Sequence, residues 1–175
     1  SQTSAFTISG ATSTDSGTIT YDIENHDSGI TFSKTTGIAS GESINVTTSA
    51  SVTRGAIYTV DLVAIDGTSK KRATLTKTIK INTLPIVDNM QNPIGDIILP
   101  SKTYTFVDNG AVDLDGQTLT YSYASSNSGI TISKSGSTVT LTTPAVATIA
   151  RGTSVTLTAT VSDGLESASK AFTFN

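Results

Sequence analysis

The sequence predicts an all-β protein that consists of two tandem antiparallel β-sandwich domains. The first observation is an internal repeat, in which TITYDIENHDSGITFSK, from Thr18 to Lys34, recurs one hundred positions later as TLTYSYASSNSGITISK. The second is that short runs of apolar residues alternate with polar ones, the pattern of a strand with one buried face. The third is composition, since Ser and Thr make up about a third of the 175 residues and Thr favours strand surfaces over helices.

The repeat also predicts where the domains begin and end. Two copies in a chain of this length imply domains of about 80 to 90 residues, a usual size for a β-sandwich. We expect a first domain at 1–82, a connector at 83–92 and a second domain at 93–175. The connector, TLPIVDNMQN, contains Pro85 and is typical of a short, stiff linker.

The second copy begins with a stretch that the first copy lacks. Ser1 to Gly10 aligns with Ser101 to Gly110, and ahead of Ser101 the sequence PIGDIILP, residues 93–100, indicates a first edge strand ended by proline. Copy one has no counterpart to it. Two interpretations stay open: the chain is a segment of a longer array, or another chain supplies the missing edge by strand addition.

Within each copy the strands follow from the alternation of apolar residues. In copy one the inward sets are Ile19, Tyr21 and Ile23; Ile30 and Phe32; Ile44 and Val46; Tyr58, Val60, Leu62 and Ala64; and Leu75, Ile79 and Ile81. In copy two they are Leu119, Tyr121 and Tyr123; Ile130 and Ile132; Val139 and Leu141; Val155, Leu157, Ala159 and Val161; and Phe172 and Phe174. The copies differ in length at predicted loops, so we expect one shared framework.

Composition and charge argue against several classes of function. The net charge is −3, and the only basic run, Lys70 to Arg72, falls in a predicted hairpin without neighbouring aromatic residues, so we expect no nucleic-acid partner. No apolar run approaches the ~20 residues of a membrane-spanning helix, so we expect no membrane insertion. The chain has no cysteine and a single histidine, His26, which excludes thiol chemistry and multi-histidine sites. We therefore expect no enzymatic activity.

Acidic residues cluster in three predicted loops of copy two. Asp113 and Asp115 form a D-x-D-G motif ahead of the Tyr121 strand, Asp163 follows the strand with the clearest alternation, and Asp88 and Asn89 lie in the connector. If the copy is an immunoglobulin-like sandwich, the loops with Asp113, Asp115 and Asp163 lie at one pole.

The order V-D-N-x-x-N-P, D-x-D-G, L-T-Y-S and V-S-D-G resembles the cadherin-like and dystroglycan-type immunoglobulin-like repeats of bacterial or phage surface proteins and adhesins. The resemblance implies two tandem immunoglobulin-like, cadherin-like sandwiches, with calcium bound by acidic residues at the junction. Carried over by motif, the candidate calcium ligands are Asp88, Asn89, Asp113, Asp115 and Asp163. Calcium takes six to eight oxygen ligands, which suits such loops.

Two observations weigh against a metal in both copies. Copy one has Ser13 at the position of Asp113, which leaves it only Asp15 and Asp66. The competing interpretation for every one of these residues is that Asp and Asn beside Gly form turns, in which the side chain binds its own backbone. We therefore expect calcium in the second domain rather than in the first.

The resemblance implies a non-enzymatic extracellular structural or adhesion module at a cell or virion surface. In this interpretation the chain is a spacer of a multi-domain array with a calcium-stiffened junction, and its partners are neighbouring domains of the array or neighbouring protein subunits. One alternative is a structural subunit of a filament, sheath or virion appendage that is completed by strand addition between chains. A second, a carbohydrate-binding accessory module, depends on the sandwich fold alone.

Overall fold

A computed structural model describes residues 2–95, 98–145, 150 and 152–175 of the chain. These residues form thirteen strands and no helix, so the predicted all-β class is confirmed. The chain divides into two units, Ser1–Asn82 and Thr83–Asn175, and each has a core of its own. Residues 83–92, interpreted from the sequence as a connector, belong to the second of these units.

Unit 1 consists of two antiparallel sheets. Its strands are β1 (Thr3–Thr7), β2 (Ile19–His26), β3 (Ile30–Phe32), β4 (Ile38–Ala39), β5 (Ser43–Thr48), β6 (Ile57–Asp66) and β7 (Arg72–Lys80). One sheet has the order β1-β5-β3 and the other the order β4-β2-β6-β7. Strands β1 and β7 therefore lie at sheet edges.

Unit 2 repeats this topology. Its strands are β8 (Thr103–Val107), β9 (Thr120–Ser125), β10 (Thr131–Ser135), β11 (Thr138–Thr142), β12 (Val155–Ser162) and β13 (Ser167–Phe174). The sheets have the orders β10-β11-β8 and β13-β12-β9, which match β3-β5-β1 and β7-β6-β2 of unit 1. The strand β4 is an addition of unit 1, within the longer loop that the sequence places after Lys34.

The cores follow the predicted alternation because every second side chain of a strand faces the opposite sheet. In β12 the four predicted inward residues, from Val155 to Val161, are at most 2% exposed. Among the described residues, five buried hydrophobic residues lie outside the predicted sets: Ile8, Ile38, Val63, Val87 and Met90. Of these, Ile38, in a stretch read as a loop, is 0% exposed, and Val63, on the outward phase of β6, is 1% exposed. Ile38 is buried because β4 pairs with β2 and places it opposite Tyr21.

The first edge of unit 2 lies earlier than the sequence indicates. Ile86 forms an antiparallel bridge with Val112, and the neighbouring Val87 and Met90 are buried in the core of unit 2. The predicted edge strand at 93–100 falls partly on residues 96 and 97, which lie outside the described residues, and the rest of this stretch is not a strand. The strand-like role falls to 86–90 because Val87 and Met90, separated by polar residues, can both reach the core.

Candidate cation site in unit 2

Two of the three predicted acidic loops of unit 2 lie at one end of the sheet β13-β12-β9. Thr120, at the start of β9, pairs with Ser162, at the end of β12. The loop 113–117 leads into β9 and the turn 163–166 leaves β12, so antiparallel pairing brings both to this end. The structure thus places Asp113 and Asp115 at the same end of the sheet as Asp163.

The loop 113–117 is organised around the carboxylate of Asp113. Its Oδ1 accepts hydrogen bonds from the backbone N–H of Asp115 at 2.8 Å and of Gln117 at 3.0 Å. Gly116 has a φ of +77°, a conformation that glycine adopts without the strain of a side chain. The D-x-D-G motif is therefore a turn that closes on its own first residue, as the competing interpretation of the sequence states.

Two oxygens of this loop are buried without a hydrogen-bond donor. Oδ2 of Asp113 and Oε1 of Gln117 have no hydrogen-bond partner among the residues that the structure describes. A buried carboxylate oxygen without a partner is costly, because it loses its hydration and gains nothing in return. A cation bound at either oxygen would supply the missing partner of that atom, whereas the turn alone satisfies neither.

Asp115 connects the loop to the beginning of unit 2. Its Oδ2 accepts hydrogen bonds from the backbone N–H of Thr83 at 2.6 Å and from the Thr83 hydroxyl at 2.7 Å. Asp115 therefore anchors the segment that continues to Ile86, a role that sequence reasoning missed because the two residues are far apart in the chain.

Asp163 forms the turn between β12 and β13. It is 7% exposed, and its Oδ1 accepts from the backbone N–H of Leu165 at 2.7 Å and of Glu166 at 2.6 Å. The sequence V-S-D-G is thus explained locally by a turn in which Gly164 has a φ of +90°.

Unit 1 has the same loop and turn with different chemistry. The Ser13 hydroxyl, at the position of Asp113, donates to Asp15 Oδ1 at 2.5 Å and accepts from the backbone N–H of Gly17 at 2.9 Å. Asp66, which corresponds to Asp163, accepts from the N–H groups of Thr68 and of Ser69, at 2.8 and 2.9 Å. The hydroxyl of Ser13 and the backbone N–H of Ser69 hold the pKa of Asp66 well below its ordinary value of 3.8.

The corresponding ends of the two units differ in their charged groups and in their hydrogen-bond donors. In unit 1 a Cβ on Gly17 would clash with the Asp66 carboxylate, so loop and turn are in direct contact. In unit 2 the corresponding residue is Gln117, and Ser13 is replaced by the carboxylate of Asp113. Unit 1 supplies a hydroxyl donor at this position, whereas unit 2 supplies two buried acceptors that have no donor among the described residues.

The other two predicted ligands have different surroundings. Asp88 and Asn89 are exposed. The Asp88 carbonyl accepts a hydrogen bond from the Lys170 ammonium at 2.5 Å, and Lys170 pairs with Ala159, three residues before Ser162. Three residues of strand span about 10 Å, so these contacts lie along the sheet rather than at its end. The Lys170 ammonium group beside Asp88 also repels a metal cation.

The loop supplies the hard oxygen atoms that calcium prefers over softer ligands. Among the described residues no group of three or more Asp, Glu, His or Cys side chains is placed to hold a metal ion. A calcium ion at this end would thus have fewer than three of the carboxylates of Asp113, Asp115 and Asp163 as ligands, and Gln117, backbone carbonyls or water would have to supply the others. Sequence reasoning missed Gln117, although the change from Gly17 to Gln117 in an otherwise repeated loop was visible.

The basic run of unit 1 forms the predicted hairpin turn between β6 and β7. Lys70 donates to the Gly67 carbonyl at 2.6 Å, and Arg72 forms an ion pair with Glu24. Among the described residues no helix has the length and apolar content required to cross a membrane.

No protein-family model and no curated protein sequence matches this chain. Among solved structures it is similar to the crystal structure of chicken VE-cadherin EC1-2, with 16% sequence identity and a TM-score of 0.34 over 100% of this chain and 91% of that chain. It is also similar to protocadherin gamma B7 extracellular cadherin domains 1–4, with 19% identity and a TM-score of 0.28 over 90% of this chain and 40% of that chain. Both TM-scores are below 0.5, so these similarities carry no argument about function.

Proposed function

We propose that this chain is a non-enzymatic tandem module of an extracellular structural or adhesion array, in which unit 2 binds one calcium ion at the end formed by Asp113, Asp115 and Asp163. The observation that carries the calcium site is the pair of buried oxygens without donors, Asp113 Oδ2 and Gln117 Oε1. The module role is supported by two units of matching topology in one chain.

Bound calcium would act on the beginning of unit 2. It would supply a positive partner for the Asp113 carboxylate, and it would hold the loop 113–117 against the turn at Asp163. Because Asp115 also binds Thr83, a fixed loop would fix the start of the unit as well. A stiff entry suits a spacer whose neighbours are further domains or subunits at a cell or virion surface.

A calcium titration of the full chain tests this proposal. Calorimetry and thermal melting would be carried out with calcium, with magnesium and with chelator, and amide hydrogen exchange would show which unit responds. A ligand at 100 times its Kd stabilises the folded state by about 2.7 kcal/mol. In a unit of about 90 residues this raises the Tm by roughly 10 °C or more. We expect this shift in unit 2 and none in unit 1.

Matched variants assign the effect to the site. Asp113→Asn should abolish the calcium-dependent shift in unit 2, because it removes the charge while keeping the oxygen that closes the turn. Asp66→Asn, at the corresponding end of unit 1, is the control and should leave the calcium shift of unit 2 unchanged. An unchanged melting curve at 10 mM calcium, or an equal response in Asp113→Asn, would remove calcium from the account of this protein.

The carbohydrate-binding alternative has less support from the structure. Sugar binding in sandwich modules uses exposed aromatic rings as platforms. All five tyrosines lie within the described residues and none is exposed; Tyr21 is only 3% exposed.

A further inference from the structure

Unit 1 has an open apolar groove between β1 and β7, each of which is an edge strand of one of its two sheets. The groove has a volume of about 510 Å³ and is lined mainly by Phe6, Ile8, Tyr21, Leu62, Ala64 and Leu75. Leu75, on β7, is 54% exposed. Apolar side chains along an edge that lacks a neighbouring strand are a typical site for pairing with further polypeptide.

In unit 2 the corresponding surface is covered by the chain itself. A Cβ on Gly110 would lie 3.0 Å from the Cα of Met90 and 3.4 Å from the carbonyl oxygen of Asn89. A Cβ on Gly10, the equivalent position of unit 1, would meet nothing within 4 Å. Gly110 and Gly10 have similar backbone angles, with φ of +86° and +102°. The difference therefore arises from residues 84–90 of unit 2, which we call the covering segment.

The last strands of the two units differ in the same way. Leu62 pairs with Leu75 in unit 1, and its counterpart Ala159 pairs with Lys170 in unit 2. Leu75 is exposed in the groove, whereas Lys170 is half-buried and donates to the Asp88 carbonyl of the covering segment. Unit 2 therefore serves as a model for the groove of unit 1 with a polypeptide segment bound in it.

The covering segment of unit 2 has a recognisable chemistry. Its two apolar side chains, Val87 and Met90, are 9% and 4% exposed and pack on the core. Its backbone exchanges two hydrogen bonds with Val112, from Ile86 N–H at 2.8 Å and to the Ile86 carbonyl at 3.0 Å. Thr12, which corresponds to Val112, has the same backbone groups to offer.

We propose that the groove of unit 1 is an acceptor site for an extended polypeptide strand of the kind seen at 84–90, with two apolar side chains at the spacing of Val87 and Met90. The strand enters between β1 and β7, its apolar side chains fill the space beside Leu62 and Leu75, and its backbone pairs at Thr12. A peptide strand fits better than a small apolar molecule because the edge backbone also requires hydrogen-bond partners. This site is independent of the proposed calcium site, whose residues lie in unit 2.

The first test adds the synthetic peptide TLPIVDNMQN, the sequence of residues 83–92, to the full chain. We expect slower amide exchange in β1 and β7, with β8 and β13 unchanged as the internal control. A peptide with Asp in place of the Val and the Met should have no effect, because it cannot fill the groove. Analytical ultracentrifugation without peptide would show whether a second copy of the chain occupies the groove instead, which would overturn the choice of occupant.

The second test makes the strand intramolecular, which raises its effective concentration to about the millimolar range. A copy of residues 83–100 is placed ahead of Ser1, so that it stands before β1 as the original stands before β8. We expect the Tm of unit 1 to rise by at least about 5 °C. The same chain with Asp in place of the added Val and Met is the control and should melt as the original does.

Gly10 supplies a readout of where the added strand lies. In the original chain the groove is open at Gly10, whereas in the extended chain Gly10→Ala should lower the Tm of unit 1 further, as we expect Gly110→Ala to do in unit 2. A rise in Tm that Gly10→Ala and the Asp control leave untouched would place the added segment elsewhere. No rise in Tm together with no response to the peptide would refute the acceptor site.

Discussion

Substitution of alanine for Gly110 and for Gly10 is the sharpest test of the packing described above. Both residues have φ in the left-handed region, so both variants share a backbone cost of about 1–2 kcal/mol. Only at Gly110 does the new methyl group meet main chain, at 3.0 Å from the Met90 Cα. Overpacking of this kind costs about 1–3 kcal/mol, because the segment 89–90 must shift. Gly110→Ala should therefore destabilise its unit by about 1–3 kcal/mol more than Gly10→Ala does.

The measurement must separate the two units, since a single unfolding curve would combine them. Hydrogen exchange followed by mass spectrometry at increasing denaturant reports the opening free energy of each unit from its own peptides. A difference of 1–3 kcal/mol corresponds to roughly a 5- to 150-fold change in the opening equilibrium. If the two variants destabilise their units equally, within about 0.5 kcal/mol, then residues 89–90 do not cover Gly110 as described.

Three further predictions concern single residues. The pKa of Asp66 is lowered in the folded state, chiefly by the Ser13 hydroxyl, so its contribution to stability is present above pH 3.8 and is lost as the pH falls through the folded pKa; urea midpoints of unit 1 should fall below about pH 4, and less so in Asp66→Asn. Ser16 has a φ of +60° where unit 2 has Gly116, so Ser16→Gly should be neutral or stabilising and Gly116→Ser destabilising by about 1 kcal/mol in denaturant melts. The Asp108 side chain is 6% exposed and forms an ion pair with Lys134, with Asp108 Oδ2 2.8 Å from Lys134 Nζ. Asp108→Ala should therefore lower the free energy of unfolding of unit 2 by about 2–4 kcal/mol. An equal stability of wild type and variant would show that the pair is solvated.

The sequence was sufficient for the framework because period-two alternation depends only on neighbouring residues. The inward phase of β12, from Val155 to Val161, follows from that pattern, and the shared sheet order of the two units agrees with the internal repeat. Ile38 was missed since a single apolar residue in a polar loop has no period, and its burial depends on pairing with a distant strand. Alternation also does not predict whether other residues bury the outward face of a strand, and Val63 is buried on the outward face of β6.

The candidate site was predictable only in part for the same reason. The turns at Asp113 and Asp163 are local, and D-x-D-G and D-G predict them. The contact of Asp115 with Thr83 spans a whole loop and has no sequence signal. Asp88 was predicted as a ligand from the motif order, but its carbonyl binds Lys170, a contact made by tertiary packing. Its membership of the calcium site stays a prediction, as does that of Asn89.

The position of residues 83–90 has a consequence for the meaning of the repeat. The sequence repeat aligns Ser1 with Ser101, whereas the folded second unit begins at Thr83, so residues 83–100 of unit 2 lie ahead of its first aligned residue. A fragment cut at Pro93, where the sequence repeat suggests a boundary, would leave behind the Val87 and Met90 side chains and uncover the surface at Gly110. Such a fragment would carry the same open groove as unit 1, so the choice of cut decides whether two isolated repeats behave alike.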